Sequence, residues 1–258
     1  MAEDAHWGVE ELLTGNVTRR SFLIRRAVGS VPGTVWVPAS RSGPVPLVLL
    51  GHGGSGDRSS SRIVSMAGRF TSAGFAAAAI DGPYHGERLS SPLSTAQYQA
   101  RIAAEGIDRV LDRMAGDWVA TCDLLTHAGI ADSARRAYFG LSMGTRYGLA
   151  AAAAPVPGLK CAVLGKFGTQ PTSDMNPALQ APRRSLSSAS RIIVPVFFHL
   201  QWDDDVFPRA GQLELFDAFA SPAKELHGFA GGHRHTPEHA PDLWQAFITR
   251  HLVGPPAR

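Results

Sequence analysis

The sequence predicts an α/β fold whose central sheet is mostly parallel and flanked by helices. Short apolar segments such as 45–50 and 75–80 are typical of strands that are buried on both faces. Between such segments, residues 63–70 and 107–125 carry apolar side chains at helical spacing. Because strands alternate with helices, we expect about eight strands with helices on both faces, and functional residues on the loops after the strands' carboxyl ends.

The elements are expected in the following order. Segments 21–26 and 34–37 flank turn residues and predict an antiparallel hairpin. The strand at 45–50 is followed by a helix that ends at Gly74, and the strand at 75–80 is followed by a polar loop over the site at 90–98. Next comes one long helix with an apolar stripe from 107 to 125. Four further strands complete the sheet, at 137–139, 160–167, 192–200 and 223–227.

Composition and length indicate one globular domain that spans residues 1–258. Residues 1–17 are expected to be peripheral, and residues 168–190 to form a small lid or pocket wall instead of a cap domain. The net charge of +3 comes from scattered arginines, which argues against a nucleic-acid partner. No apolar segment is long enough to span a membrane, so no membrane partner is expected, and the oligomeric state stays open.

Residues 18–23 (TRRSFL) resemble a twin-arginine export signal. Such a signal needs an uninterrupted apolar segment after the arginines, and here Arg25 and Arg26 interrupt it. We therefore interpret the segment as a strand and expect a cytoplasmic protein. Only two cysteines are present, Cys122 and Cys161, without metal-ligand spacing. Free buried thiols in a reducing compartment and no metal site are the corresponding expectations.

The segment 140–144 (GLSMG) joins an apolar strand directly to an alanine-rich helix. A serine at such a sharp turn has strained backbone angles, and the residues two before and two after it have no room for a side chain. This arrangement predicts a nucleophile elbow with Ser142 exposed above the sheet. The first N–H groups of the following helix would point at the space where an oxyanion develops.

A serine hydroxyl needs a base to accept its proton, and the base needs an acid to orient it. Two downstream segments offer such groups. Residues 201–208 (QWDDDVFP) follow a predicted buried strand, and residues 229–233 (FAGGH) follow the short strand at 223–227. Candidate acids are Asp203, Asp204 and Asp205. The candidate bases are His233, His235 and His239, of which His233 is favoured because a Gly-Gly pair precedes it.

With these segments, and with HGG at 52–54 and DGPYHGER at 81–88, the chain resembles α/β-hydrolases of the dienelactone-hydrolase-like and prolyl-oligopeptidase-like esterase group. The resemblance covers roughly residues 33–252. It implies an α/β-hydrolase fold without a large cap domain and a catalytic triad in the order Ser142, Asp204, His233. Asp204 is favoured because the family's acid is followed by a proline four residues on, here Pro208, although Gln201 replaces the family's glycine.

The resemblance also implies an oxyanion hole made by the backbone N–H groups of Met143 and Gly54, with Gly53 as the alternative to Gly54. His52 is expected to brace this loop by hydrogen bonding. Candidates for the substrate pocket are Tyr84, His85 and Trp202.

Two further expectations concern charged residues. Asp81 and Arg88 are expected to form an ion-paired turn. Lys166 either lies near the pocket mouth, where it would favour an anionic substrate group, or is an exposed residue at a strand end, which is the commoner case.

The expected function is hydrolysis of a small or medium carboxylic ester through an acyl-enzyme, with no cofactor. Thioesters, lactones and other acyl or C–C bonds stay open as substrates, because a triad does not specify the leaving group. A non-catalytic binding module of the same fold is the alternative from another class. Such proteins usually lack one triad member, and this chain has a candidate for each.

Overall fold

The computed structural model describes residues 5–154, 156–172 and 175–253, and within them nine strands form one sheet. The strands are β1 (Ala5–Leu13), β2 (Val17–Arg26), β3 (Gly29–Pro38), β4 (Val45–Gly51), β5 (Ala76–Ile80), β6 (Ala131–Gly140), β7 (Leu159–Gly165), β8 (Val196–Gln201) and β9 (Lys224–Phe229). Their order across the sheet is β1-β2-β3-β5-β4-β6-β7-β8-β9. The pairs β1–β2, β2–β3 and β3–β5 are antiparallel. The remaining pairs, β5–β4, β4–β6, β6–β7, β7–β8 and β8–β9, are parallel. The predicted mostly parallel sheet is confirmed.

The sheet has one strand more than the sequence predicts, because residues 5–13 pair with β2 as an edge strand. Trp7 of this strand packs edge-on against Phe22 with ring centroids 5.7 Å apart, whereas Val9 is 83% exposed. Residues 1–4 of the segment that was expected to be peripheral lie outside the described residues. Residues 18–23 lie within β2, so their interpretation as a strand is confirmed.

Helices cover both faces of the sheet. They are α1 (Ser61–Ser72), α2 (Thr95–Glu105), α3 (Ile107–His127), α4 (Met143–Ala153), α5 (Pro182–Ala189), α6 (Arg209–Ala218) and α7 (Ala240–Val253). Helices α1 and α7 pack on one face and α2 to α6 on the other, which gives two hydrophobic cores. Strand β4 contributes alternately to both: Leu47 and Leu49 to one core, Val48 and Leu50 to the other. This double burial explains why β4 is apolar at every position from 47 to 50.

The loop expected at 90–98 is in part a helix, and this prediction was wrong. Helix α2 begins at Thr95, after a capping box in which Ser94 and Gln97 each accept a hydrogen bond from the other's backbone N–H. It ends at Glu105, and the φ of 93° at Gly106 breaks the helical path before α3 begins. Helix α2 places Tyr98 and Gln99 beside the loop that follows β4, where they become part of the site.

Candidate active site

The loops after β4, β6, β7, β8 and β9 meet at one edge of the sheet and enclose a cavity of about 530 Å³. Ser142 lies at its floor, between β6 and α4, with φ 58° and ψ −121°. A positive φ is rare for a residue with a side chain and indicates local backbone strain. Its N–H donates to the carbonyl oxygen of Gly165 over 2.9 Å, which attaches the turn to the end of β7.

The glycines around Ser142 are required by close backbone packing. A Cβ on Gly140 would lie 2.6 Å from the carbonyl oxygen of Gly144, and a Cβ on Gly144 would lie 2.5 Å from that of Gly51. Thr145 further holds the turn, because its hydroxyl lies 2.8 Å from the Gly140 carbonyl oxygen and 2.7 Å from that of Gly165. The sequence prediction of a strand-to-helix elbow therefore agrees with the backbone that surrounds Ser142.

The structure brings Ser142, His233 and Asp204 together. Ser142 Oγ lies 2.9 Å from His233 Nε2, and His233 Nδ1 lies 2.9 and 3.0 Å from the two carboxylate oxygens of Asp204. The Asp204 side chain is fully buried, and its Oδ1 also accepts the N–H groups of Val206 and Phe207, each at 2.8 Å. A carboxylate on Nδ1 favours the tautomer with Nδ1–H, in which Nε2 is free to accept a proton from the serine hydroxyl.

The neighbouring aspartates bind the histidine loop by its backbone instead of its ring. Asp205 Oδ1 accepts the His233 N–H at 2.8 Å, and Asp203 Oδ2 accepts the Gly231 N–H at 3.1 Å. Hydrogen bonds from the N–H groups of His233 and of Asp205 itself lower the pKa of the exposed Asp205 carboxyl. His235 is exposed, and its carbonyl oxygen accepts a hydrogen bond from Lys166. Of the alternatives that the sequence leaves open, only Asp204 contacts the imidazole of His233 in the described residues.

Lys166 is buried, contrary to the expectation of an exposed lysine at a strand end. Its ammonium donates to the carbonyl oxygens of His233 (3.1 Å) and His235 and to the hydroxyl of Thr236 (2.9 Å). Burial lowers the pKa of the Lys166 ammonium to about 8. These three hydrogen bonds attach the histidine loop to the residue that follows β7.

Two buried glutamines connect the acid loop with the histidine loop. The amide nitrogen of Gln201 donates to the carbonyl oxygens of Ala230 (2.9 Å) and Gly231 (2.7 Å). The amide of Gln212 accepts the Gln201 N–H at 3.0 Å and donates to the Phe207 carbonyl oxygen at 2.7 Å. This role was not predicted from the sequence. The only feature that pointed to it is that Gln201 occupies the position where the related family has a glycine.

On the other side of Ser142, His52 holds the loop after β4. Its Nδ1 lies 2.9 Å from the Gly53 carbonyl oxygen, and its Nε2 accepts the Gly82 N–H at 2.8 Å. A trans peptide places its C=O and N–H on opposite sides, so the Gly54 N–H points away from His52. Gly54 and Met143, the first residue of α4, both line the cavity beside Ser142. The first N–H groups of a helix have no intrahelical acceptor and are available to a ligand.

The pocket candidates Tyr84, His85 and Trp202 do not line the cavity at Ser142, so the predicted pocket wall needs correction. Tyr84 and His85 line a second cavity of about 300 Å³ behind the loop after β4, where His85 Nε2 lies 3.1 Å from the Gly54 carbonyl oxygen. Trp202 lies outside both cavities: its N–H donates to the Phe229 carbonyl oxygen and its half-exposed ring packs under the Arg209 guanidinium.

The wall of the Ser142 cavity comes from segments that are distant in sequence. Side chains of α1, α2 and α4 contribute, together with the segments after β7, β8 and β9. They are Arg62, Thr95, Tyr98, Gln99, Arg146, Lys166, Phe167, Met175, Leu179, Val206, Phe207 and Arg234. Met175 and Leu179 belong to the stretch 168–190, which was expected to form a lid or pocket wall. Residues 173 and 174 of that stretch lie outside the described residues.

Asp81 does not pair with the side chain of Arg88 as expected. Its carboxylate is buried and pairs with Arg58, while Arg88 donates through Nε to the Asp81 carbonyl oxygen at 2.7 Å and pairs with Asp117 at 2.6 Å. Burial raises the pKa of Asp81 despite these partners. The turn 81–88 is thus held by two buried arginine–carboxylate pairs. It contacts the His52 loop through the hydrogen bond from the Gly82 N–H to His52 Nε2.

Two buried histidines make folding stability depend on pH. Burial lowers the pKa of His199 to about 3, and burial together with the nearby His85 lowers that of His52 to about 4, from an ordinary value of 6.5. Below pH 6.5 the unfolded chain therefore binds more protons than the folded one. Each histidine then lowers the free energy of unfolding by up to about 1.4 kcal/mol per pH unit as pH falls.

Urea unfolding between pH 6.5 and 5 tests this expectation. The His199→Phe variant should show a smaller decrease in the free energy of unfolding than the wild type, because the contribution of His199 is then absent. Phenylalanine suits the site because the His199 ring already stacks on Phe229 with centroids 4.1 Å apart. Equal pH dependence in the two proteins would contradict the assignment.

Comparison with known proteins places the fold. No family model matches the chain, and a search of curated proteins gives no match. Solved structures do match. A cold-adapted esterase from an Arctic intertidal metagenomic library is 28% identical, with a TM-score of 0.79 over 98% of this chain and 100% of that one. An acetyl xylan esterase from Paenibacillus sp. R4 is 19% identical, with a TM-score of 0.72 over 97% of this chain and 89% of that one.

A putative dienelactone hydrolase from Klebsiella pneumoniae is also similar, at 19% identity and a TM-score of 0.71 over 93% of this chain and 99% of the other. The chain therefore has the α/β-hydrolase fold, as the sequence motifs predict. Among proteins of this fold it is similar to the 28% identical esterase over nearly the whole chain.

The described residues contain no group of three or more His, Cys, Asp or Glu side chains that could hold a metal ion. None of the helices in the described ranges is long and apolar enough to cross a membrane.

Proposed function

We propose that this protein is a carboxylic-ester hydrolase in which Ser142 is the nucleophile, His233 the general base and acid, and Asp204 the residue that orients His233. The observation that carries the proposal is the continuous set of contacts from Ser142 Oγ through the His233 ring to the buried Asp204 carboxylate, at the floor of an open cavity. The 28% identical esterase that aligns with nearly the whole chain supports the same activity.

The reaction proceeds in two acyl-transfer steps. His233 Nε2 accepts the Ser142 proton as Oγ attacks the ester carbonyl, and then gives this proton to the leaving alcohol. Water, deprotonated by the same nitrogen, attacks the acyl-enzyme and releases the acid. Asp204 stabilises the imidazolium that forms in each step, and its full burial strengthens this interaction.

The negative oxygen of each tetrahedral intermediate is bound by the backbone N–H groups of Met143 and Gly54. Met143 contributes because its N–H, at the start of α4, faces the space above Ser142 and benefits from the helix dipole. Gly54 contributes because His52 holds the preceding carbonyl group away from the cavity. Removal of one such donor typically lowers the kcat of a serine hydrolase by about 10²- to 10³-fold.

The substrate is a small or medium molecule, as a cavity of about 530 Å³ lies in the usual range for small-molecule sites. Thioesters and lactones would react by the same steps, and they belong in the substrate panel. The non-catalytic alternative predicts that Ser142 is unreactive, so a test of its reactivity separates the two classes.

The decisive experiment compares wild type with Ser142→Ala on p-nitrophenyl esters of increasing acyl length, together with labelling by a fluorophosphonate. We expect turnover and labelling of the wild type, a loss of about 10⁴- to 10⁶-fold in kcat, and no labelling in the variant. Ser133→Ala, which changes an exposed serine at the opposite end of β6, should behave as wild type. A wild type that is neither labelled nor active on any ester, thioester or lactone would refute the proposal.

A further inference from the structure

Arg146 is a buried cation in the wall of the Ser142 cavity, with only 8% of its surface exposed. It is also the single charged residue of helix α4. The acceptor for its guanidinium in the described residues is the thioether of Met175, 3.1 Å from Nη2. Sulfur in a thioether is a weak acceptor, so the guanidinium keeps most of its hydrogen-bonding capacity unused.

Three other buried arginines have oxygen acceptors, whereas Arg146 has only a thioether. Arg136 donates to the carbonyl oxygen of Pro157 and the hydroxyl of Thr126. Arg58 pairs with Asp81 and Arg88 with Asp117, both fully buried carboxylates. No carboxylate in the described part of the chain pairs with Arg146, and its guanidinium carbon lies 5.2 Å from the centre of the Phe167 ring. Burial lowers the pKa of Arg146, but an arginine keeps its proton in a protein, so the charge persists.

The rest of the wall does not supply the missing negative charge. Arg62, Lys166 and Arg234 line the same cavity, and the described lining residues include no Asp or Glu. The donors of Lys166 are occupied by the histidine loop, and Arg62 reaches the Thr236 hydroxyl at 3.3 Å. A cavity lined by cations with low-dielectric walls attracts anions, and a buried unpaired charge is costly until one binds.

The position of Arg146 connects this charge with the reacting groups. It lies one helical turn after Ser142, and its backbone N–H donates to the Ser142 carbonyl oxygen at 3.2 Å. An anion on the guanidinium would therefore share the cavity with the carbonyl group that Ser142 attacks. The planar guanidinium matches the two oxygens of a carboxylate, and a single negative charge neutralises its single positive charge.

We propose that Arg146 binds a carboxylate group of the substrate, so that the enzyme prefers esters whose acyl or alcohol part carries a carboxylate to neutral esters of similar size. This inference rests on the proposed esterase function and specifies its substrate class. Phe167, Met175 and Leu179 would contact the methylene groups between the carboxylate and the ester, because they form the apolar part of the same wall.

The test measures kcat/KM by pH-stat for matched pairs of esters. One set pairs the monomethyl esters of succinate, glutarate and adipate with methyl esters of neutral acids of the same length, and the other pairs O-acetyl hydroxy acids with neutral alkyl acetates. For the pair with the largest difference, we expect the wild-type kcat/KM to be about 10- to 100-fold higher for the ester that carries a carboxylate. This factor corresponds to the free energy of one charge-assisted hydrogen bond.

The ratio between the two esters of a pair should fall towards 1 in Arg146→Gln and be partly retained in Arg146→Lys. Arg101→Gln removes the same charge from the exposed surface of α2 and should keep the wild-type ratio. Using a ratio separates specificity from a general loss of catalysis. If Arg146→Gln fails to fold, Arg146→Lys gives the answer, because loss of bidentate geometry alone should lower the ratio.

The outcomes are distinguishable. A wild-type ratio near 1 in every pair, with neutral esters hydrolysed, overturns the carboxylate inference and leaves the esterase function standing. No hydrolysis of any ester overturns both. A higher activity on the acetyl ester of a hydroxyalkyl phosphate than on any carboxylate would assign the site to phosphate and overturn the inference.

Discussion

The Asp204→Asn variant is expected to fold normally and to lose about four orders of magnitude in kcat. The asparagine oxygen can still accept the N–H groups of Val206 and Phe207, which hold the carboxylate now. Its NH₂ group then faces His233 Nδ1 and favours the tautomer with the proton on Nε2, which cannot accept the proton of Ser142. The same change in another serine hydrolase reduces kcat by about 10⁴ through the wrong tautomer.

Steady-state kinetics on a p-nitrophenyl ester measures the effect, and the adjacent residues provide matched controls. Asp203→Asn and Asp205→Asn remove one carboxylate each from the same loop, but these carboxylates bind backbone N–H groups of the histidine loop. We expect them to lower kcat/KM by about 10-fold or less, the effect of one weakened hydrogen bond. A larger loss in Asp205→Asn than in Asp204→Asn would show that Asp205, and not Asp204, orients His233.

The Gly144→Ala variant is expected to lose more than about 3 kcal/mol in the free energy of unfolding, or to fail to fold. Its new Cβ would lie 2.5 Å from the carbonyl oxygen of Gly51 and 3.2 Å from that of His52, both of them backbone atoms in the central strand β4 and its loop. Overpacking against backbone that cannot move is among the most destabilising substitutions.

Gly68→Ala is the matched control, because it is the same substitution in the interior of helix α1. There the Cβ would have no neighbour within 4 Å, so we expect a gain of up to about 1 kcal/mol from the higher helix propensity of alanine. Urea unfolding of both variants measures the difference. If Gly144→Ala were as stable as Gly68→Ala, the close approach of α4 to β4 would not exist in solution.

The sequence predicts the residues around Ser142 well because their requirements are local. A serine between two glycines, after an apolar strand and before a helix, predicts one backbone conformation, the strained strand-to-helix turn. The order of motifs along the chain then identifies the candidate acid and base. Three consecutive aspartates could not be separated in this way, because alternate side chains of one loop face different groups. Only the position of the histidine loop decides which carboxylate contacts the ring.

The pocket wall could not be predicted, for a related reason. Tyr98 reaches the cavity because α2 begins at a capping box that the sequence analysis interpreted as part of a loop. Trp202 was expected in the wall because it follows β8, but its N–H extends the pairing of β8 with β9 and directs the ring outwards. Lys166 gave no sign of burial, since the carbonyl groups that it contacts lie nearly seventy positions further along the chain.

The glutamine pair beneath the site joins the acid loop to the histidine loop with neutral amide groups. Unlike ion pairs, such contacts are not weakened by dissolved salt and do not titrate. This part of the connection between acid loop and histidine loop is therefore independent of ionic strength, whereas the cationic cavity above it is not. Salt would act on how strongly a charged molecule is attracted into the cavity, and leave these amide contacts unchanged.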